Sequence, residues 1–178
     1  MVEPQARHRP TLDAVCKGFG GSVSAAHVLL GPAAQKDVPF NVLDDGAGST
    51  GSSVLAELSD VRRNVVPTPM TTLDALTAGR NFPVPDLIKL DVQGFEIEAL
   101  KGASRLLALV PLVLLEVSVQ QYNEGSPLMH DVVHWMQGAG FQVFDVFDLT
   151  RRADGGLLQV DLLFVRKDSS LLSPQPAA

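Results

Sequence analysis

Apolar positions along this chain fall into short runs of strand length that alternate with stretches of helical spacing, and glycine or proline stands at most junctions. Leu12, Val15 and Cys16 predict a helix over Thr11 to Lys17, which Gly18, Gly20 and Gly21 stop. Ala25 to Leu30 reads as a strand closed by Gly31-Pro32. A second extended run, Val38 to Leu43, carries Pro39, a residue that a sheet tolerates at its edge. Thr72 is placed to cap a helix over Leu73 to Ala78 with Gly79 as its stop. Pro83 and Pro85 then lead into a strand at Leu87, a helical stretch covers Ser104 to Leu109, and Pro111 resets the chain for a strand over Leu112 to Val117. Ser126 and Pro127 suit the N-cap and first turn of a helix with Leu128, Val132, Trp135, Met136 and Ala139 on its apolar face. Gln142 to Leu149 and Leu157 to Val165 are two strands joined by Gly155-Gly156, a turn short enough to make them antiparallel. Alternating β and α units that finish in a hairpin predict an α/β fold with a mostly parallel sheet and an antiparallel C-terminal hairpin. Residues 1–168 form one domain on this reading, and Ser169 to Ala178 is expected to be a disordered tail.

The densest chemistry lies between Leu87 and Ala103. Leu87, Ile88, Leu90 and Val92 make a strand-length apolar run, Asp91 stands at its carboxyl end, and Gly94 lets the chain turn into the helix Phe95 to Leu100. An open α/β sheet binds its ligands at that end of its strands.

This segment closely resembles the signature of the FkbM-type methyltransferases, class I enzymes that use S-adenosylmethionine to methylate oxygen atoms. The family pattern runs roughly Leu-Ile-Lys-Ile/Leu-Asp-Val-Glu/Gln-Gly-x-Glu-x-x-x-Leu-x-Gly-Ala, and the chain meets it with Gln93 at the variable position. Val66 to Asp74 is similar to the family's strand and Thr-Leu-Asp helix start, Pro111 to Val117 to its next strand, Gly140-Phe141 to its helix exit, and Leu158 to Val165 to its closing strand. Glu3-Pro4 resembles the pair that ends the family's second strand, so the matches span Glu3 to Lys167. The resemblance implies a Rossmann-like class I methyltransferase fold, S-adenosylmethionine as cofactor, and a small-molecule, sugar or natural-product hydroxyl as acceptor. Because Glu3-Pro4 stands almost at the first residue, it also implies that the first strand and its glycine cofactor loop are missing, as in an N-terminally truncated or degenerate member. Removing a central strand is expected to leave its neighbours with unpaired edges and an uncovered apolar face.

By the same resemblance Glu3 accepts hydrogen bonds from the cofactor's ribose, and Glu96 matches the family's fixed acid. Asp91 has two readings: a structural acid satisfied by backbone N–H groups, or a crevice acid beside the methyl donor and the acceptor hydroxyl. Asp91 and Glu96 are the candidate catalytic residues, Glu3 and Asp91 the candidate cofactor residues. Glu116, at the end of the next strand, and Tyr122, which follows it, are candidates for touching the substrate. Glu98 shares the first turn of the helix with Glu96, where the dipole favours any carboxylate, and is expected to face solvent.

Composition narrows the partners. The formal charge of −6, with Lys and Arg scattered, argues against a nucleic-acid surface. A hydrophobic content of 46% fills one core, and the longest apolar run, Leu106 to Leu115, falls short of the roughly 20 residues that cross a bilayer. Without a signal-peptide pattern the default is a soluble cytoplasmic protein. Cys16 is the only cysteine, and His130 and His134 lack the glutamate of a zinc-binding helix, so no metal site is expected.

Gly46-Ala47-Gly48-Ser49-Thr50-Gly51 fits a nucleotide-loop pattern, which would suit a nucleotide-dependent oxidoreductase. Only about forty residues separate it from the strand at Leu87, too few for the two βαβ units, at thirty or more residues each, that belong between them. The leading expectation is therefore an O-methyltransferase; the rival is a non-catalytic module that keeps part of the fold.

Overall fold

The computed structural model describes residues 1–43, 51–60 and 62–173. Five α-helices and seven strands follow one another in the described residues: α1 (Arg9–Gly18), β1 (Leu29–Leu30), β2 (Gln35–Leu43), β3 (Arg63–Thr71), α2 (Leu73–Gly79), β4 (Leu87–Leu90), α3 (Glu96–Lys101), α4 (Ser104–Leu107), β5 (Leu112–Ser118), α5 (Met129–Gly138), β6 (Phe141–Arg151) and β7 (Leu157–Arg166). A 3-10 turn, Ser170–Leu172, begins within the stretch expected as a tail, whose last residues, 174–178, lie outside the described residues.

The chain is a mixed α/β protein, but it does not build one mostly parallel sheet. Two sheets form, ordered β1-β3-β2 and β4-β5-β7-β6. Only β1 with β3 and β4 with β5 pair in parallel; β2 with β3, β5 with β7 and β6 with β7 are antiparallel. The physical reason lies in β2 and β3. Apolar periodicity marks each as a strand but carries no direction, and two consecutive strands pair most cheaply by folding back on each other. Pro39 sits on β2, the edge of its sheet, where its missing N–H leaves no ladder bond unmade.

The main core lies on the four-stranded sheet. Leu100, Val113, Leu115, Met136, Phe141 and Phe164 are fully enclosed there, at about 2 kcal/mol for each large apolar side chain removed from water. Helices α3 and α4 close one face, and Asp74 of α2 ties them down by accepting from the N–H groups of Arg105 and Leu106 at 2.8 and 3.0 Å. Gly102, between α3 and α4, passes so close to Gly31 that a Cβ would meet its carbonyl oxygen at 2.1 Å. The three-stranded sheet encloses a smaller cluster of Leu29, Val38, Phe40 and Met70.

Two helix starts show how far local signals reach. Thr72 caps α2 as its sequence predicts, its hydroxyl accepting from the N–H of Ala75 at 3.0 Å. Helix α5 instead begins two residues after the expected Ser126-Pro127 start. Leu128 is held in a parallel bridge to Ser118 and gives its N–H to Asp131 at 3.0 Å, which moves the cap onto Leu128.

Candidate functional site

Asp91 follows the last residue of β4, and the chain turns sharply after it because Gln93 and Gly94 both adopt positive φ, +56° and +92°. Glycine enters this region without penalty, whereas glutamine pays about 1–2 kcal/mol. The conformation persists because its carbonyl is held: the Gln93 oxygen accepts from Asn123 Nδ2 at 2.7 Å and from Ser53 Oγ at 2.9 Å. Gly94 could carry no side chain, since a Cβ would stand 2.7 Å from that of Ser126.

Glu96 closes the same turn from the helix side. It is 2% exposed, and its Oε1 accepts from the backbone N–H groups of Val92 at 3.1 Å and Gly94 at 3.2 Å. Burial pushes its carboxyl up to about 7, against the pull of those two donors, with the neighbouring Asp91 adding to the rise. In the same turn, Glu98 pairs with Lys101 at 2.5 Å on the exposed face of α3.

On the strand side the Gln93 side chain reaches across the sheet. Its Nε2 donates to Asp91 Oδ1 and to Glu116 Oε2, both at 2.8 Å, and its Oε1 accepts from the Tyr122 hydroxyl at 2.8 Å. Gln159 of β7 completes the ring, giving one N–H to Glu116 Oε2 at 2.6 Å and the other to the Tyr122 oxygen at 2.8 Å. Glu116 and Asp161 stand opposite each other on β5 and β7. Glu116 is raised to about 7, first by burial and then by Asp91, Asp161 and Glu96 around it, while burial and Glu116 push the Tyr122 hydroxyl well above its ordinary value.

On its other side Asp91 borders a cavity of about 750 Å³, within the roughly 300–1,000 Å³ of small-molecule sites. Its lining includes Met1 to Gln5 and Leu87 to Val92. Successive strand residues point to opposite faces, so a cavity that touches all of Leu87 to Leu90 lies at the free edge of β4 and not over one face. Val2 is bound into a parallel bridge with Ala26, and Glu3 lines the cavity with its Oε1 accepting from the Gln5 N–H at 2.8 Å. Gln5, 8% exposed, also lines it, and its Oε1 is buried with no hydrogen-bond partner in the protein.

The structure thus gathers Glu3 and Asp91 on one cavity, and Asp91, Glu116 and Tyr122 in one polar network. Glu96 stands apart from both as the acid that closes the turn. Sequence reasoning missed Gln93 and Gln159 as members, and also Gln5; the variable Glu/Gln position in the signature was the one signal that pointed to Gln93. Of the glycine-rich loop Gly46 to Gly51, residues 46–50 lie outside the described residues. Among the described residues no three of His, Cys, Asp and Glu are grouped to hold a metal ion, and no helix is long and apolar enough to cross a membrane.

No curated protein and no solved structure matches the chain. The family model described as the methyltransferase FkbM domain matches residues 2–143, a span that includes Glu3, the whole β4–α3 signature, the Gln93 network up to Tyr122, and the cavity lining apart from Met1; the chain therefore belongs to the FkbM methyltransferase family.

Proposed function

We propose that the chain is an S-adenosylmethionine-dependent O-methyltransferase acting on a small-molecule hydroxyl. The observation that carries this reading is the meeting, at one cavity, of Glu3 and Asp91 beside the carboxyl end of β4. These residues fit the cofactor's chemistry. A carboxylate suits a ribose diol. Bound there, the cofactor would supply a methyl group on a sulfonium centre.

Glu3 would hold the ribose hydroxyls. Asp91 borders the same space, so its carboxylate would take the proton of an acceptor hydroxyl placed against it. The apolar walls, including Leu76, Leu90 and Phe95, exclude water from the transfer. Isothermal titration of the chain with S-adenosylmethionine tests the reading: binding is expected in the wild type and at least tenfold weakening in Glu3→Ala. Binding that is unchanged in that variant, or absent altogether, sinks it.

A second reading, an interaction module on the same fold, draws on the far edge of the four-stranded sheet. There β6 exposes Phe144, Val146, Phe147 and Leu149 to solvent. Its edge is also blunted, because Asp145 and Asp148 each take a strand N–H with their own side chains at 2.8 Å.

A further inference from the structure

The Gln93 side chain has no spare N–H group. Both hydrogens of its Nε2 are given to carboxylates on two different strands, Asp91 at the end of β4 and Glu116 on β5, and its oxygen is taken by Tyr122. Gln159 is equally committed, with both hydrogens spent on Glu116 and Tyr122. Glu116 Oε2 therefore already receives two N–H groups, and a proton on this carboxyl belongs on its other oxygen. Two carboxylates bridged by one amide nitrogen repel each other strongly unless a proton lies between them.

We propose that Asp91 and Glu116 hold a single proton between them, and that Gln93 is the positioning residue that keeps them close enough to share it. Glu116 carries the proton and gives a hydrogen bond to Asp91, while Asp91 keeps the charge and faces the cavity. The arrangement aims the Asp91 carboxylate at an acceptor hydroxyl and prevents Glu116 from competing for that proton.

The surroundings agree with this assignment. Glu116 faces Asp91 from β4, Glu96 from α3, Asp161 from β7 and Tyr122 from the segment after β5, all of them acidic or neutral. The cations around the network act on its other members: Arg63 on Tyr122, and Lys89, half exposed, 3.9 Å from Asp161. A second negative charge at Glu116 would thus be poorly compensated. The strained conformation of Gln93 fits the same purpose, because its fixed carbonyl sets the direction from which the side chain reaches both acids.

The bearing of this pair on methyl transfer rests on the reading of Asp91 given under the proposed function; the sharing of a proton does not. It is tested on the full chain without cofactor, by infrared difference spectroscopy of protonated carboxyl groups across pH, with Glu116→Gln identifying the Glu116 component. The titration midpoint of Glu116 is compared in the wild type, Asp91→Asn, Gln93→Met and the double variant. Asp91→Asn is expected to lower the midpoint by about one pH unit when Gln93 is present, and by less than half as much in the Gln93→Met background. A shift of equal size in both backgrounds overturns the positioning role, and no shift in either overturns the shared proton. If Gln93→Met fails to give a folded circular dichroism spectrum, Gln93→Asn replaces it in the cycle, its amide being too short to span both acids. Failure here leaves methyl-donor binding standing, and failure of that binding leaves the coupling standing.

Discussion

Glu96 and Glu116 flank the same strand end and are both pushed up to about 7, yet they are wired differently. Glu96 is enclosed and bonded to backbone, so its oxygen takes two N–H groups that the turn itself cannot satisfy. Glu116 is half buried and bonded to side chains, each of which belongs to a different strand or loop. A carboxyl held by backbone shapes the chain, whereas one held by side chains can change its protonation without moving the fold. The contrast gives Glu96 a structural role in the turn and leaves Asp91 and Glu116 as the pair on which the proposed chemistry draws.

The largest effect expected from breaking the contrast is on the folding side. Glu96→Ala leaves the N–H groups of Val92 and Gly94 unpaired in a closed interior and empties the space behind them. It should cost about 3 kcal/mol of stability by urea denaturation. A loss under 1 kcal/mol would show that the turn stands without it.

The second expectation concerns pH. Because Glu96 binds its proton more tightly folded than unfolded, its contribution to stability is complete below about 4.5 and is lost as pH rises to about 7. Between pH 5 and 7 the wild type should lose about 2 kcal/mol relative to Glu96→Gln, whose side chain does not titrate. Glu116 contributes with the same sign and is present in both proteins, so it enters the difference only through the part of its shift that Glu96 causes. Parallel stability curves for the two proteins would contradict the assignment of Glu96.

The smallest effect belongs to the side-chain network. Tyr122→Phe removes one donor to Gln93 and one acceptor from Gln159, and should cost about 1 kcal/mol in thermal denaturation while leaving the secondary structure intact. A loss as large as that of Glu96→Ala would mean that the network is structural after all.

Much of the fold was legible because strand and helix periodicities are local. The β4 turn, the cap of α2 at Thr72, the β6–β7 hairpin and the edge placement of Pro39 each follow from residues within a few positions of one another. The division into two sheets was not legible, since pairing direction depends on which strands meet. The start of α5 shifted for a similar reason: the bridge between Leu128 and Ser118 is a contact between distant residues.

The candidate site divides along the same line. The amino-acid sequence by itself determined the strand, acid, glycine turn and helix of Leu87 to Ala103, and with them the family, because these depend on local backbone geometry and on residue type. Only the tertiary structure separated the roles of Glu96 and Asp91, brought Gln93 and Gln159 to Glu116, and set Glu3 on the same cavity as Asp91. The physical reason is that a side chain's protonation and hydrogen bonds are decided by what it meets across the sheet, and those partners lie up to 43 positions away in the chain.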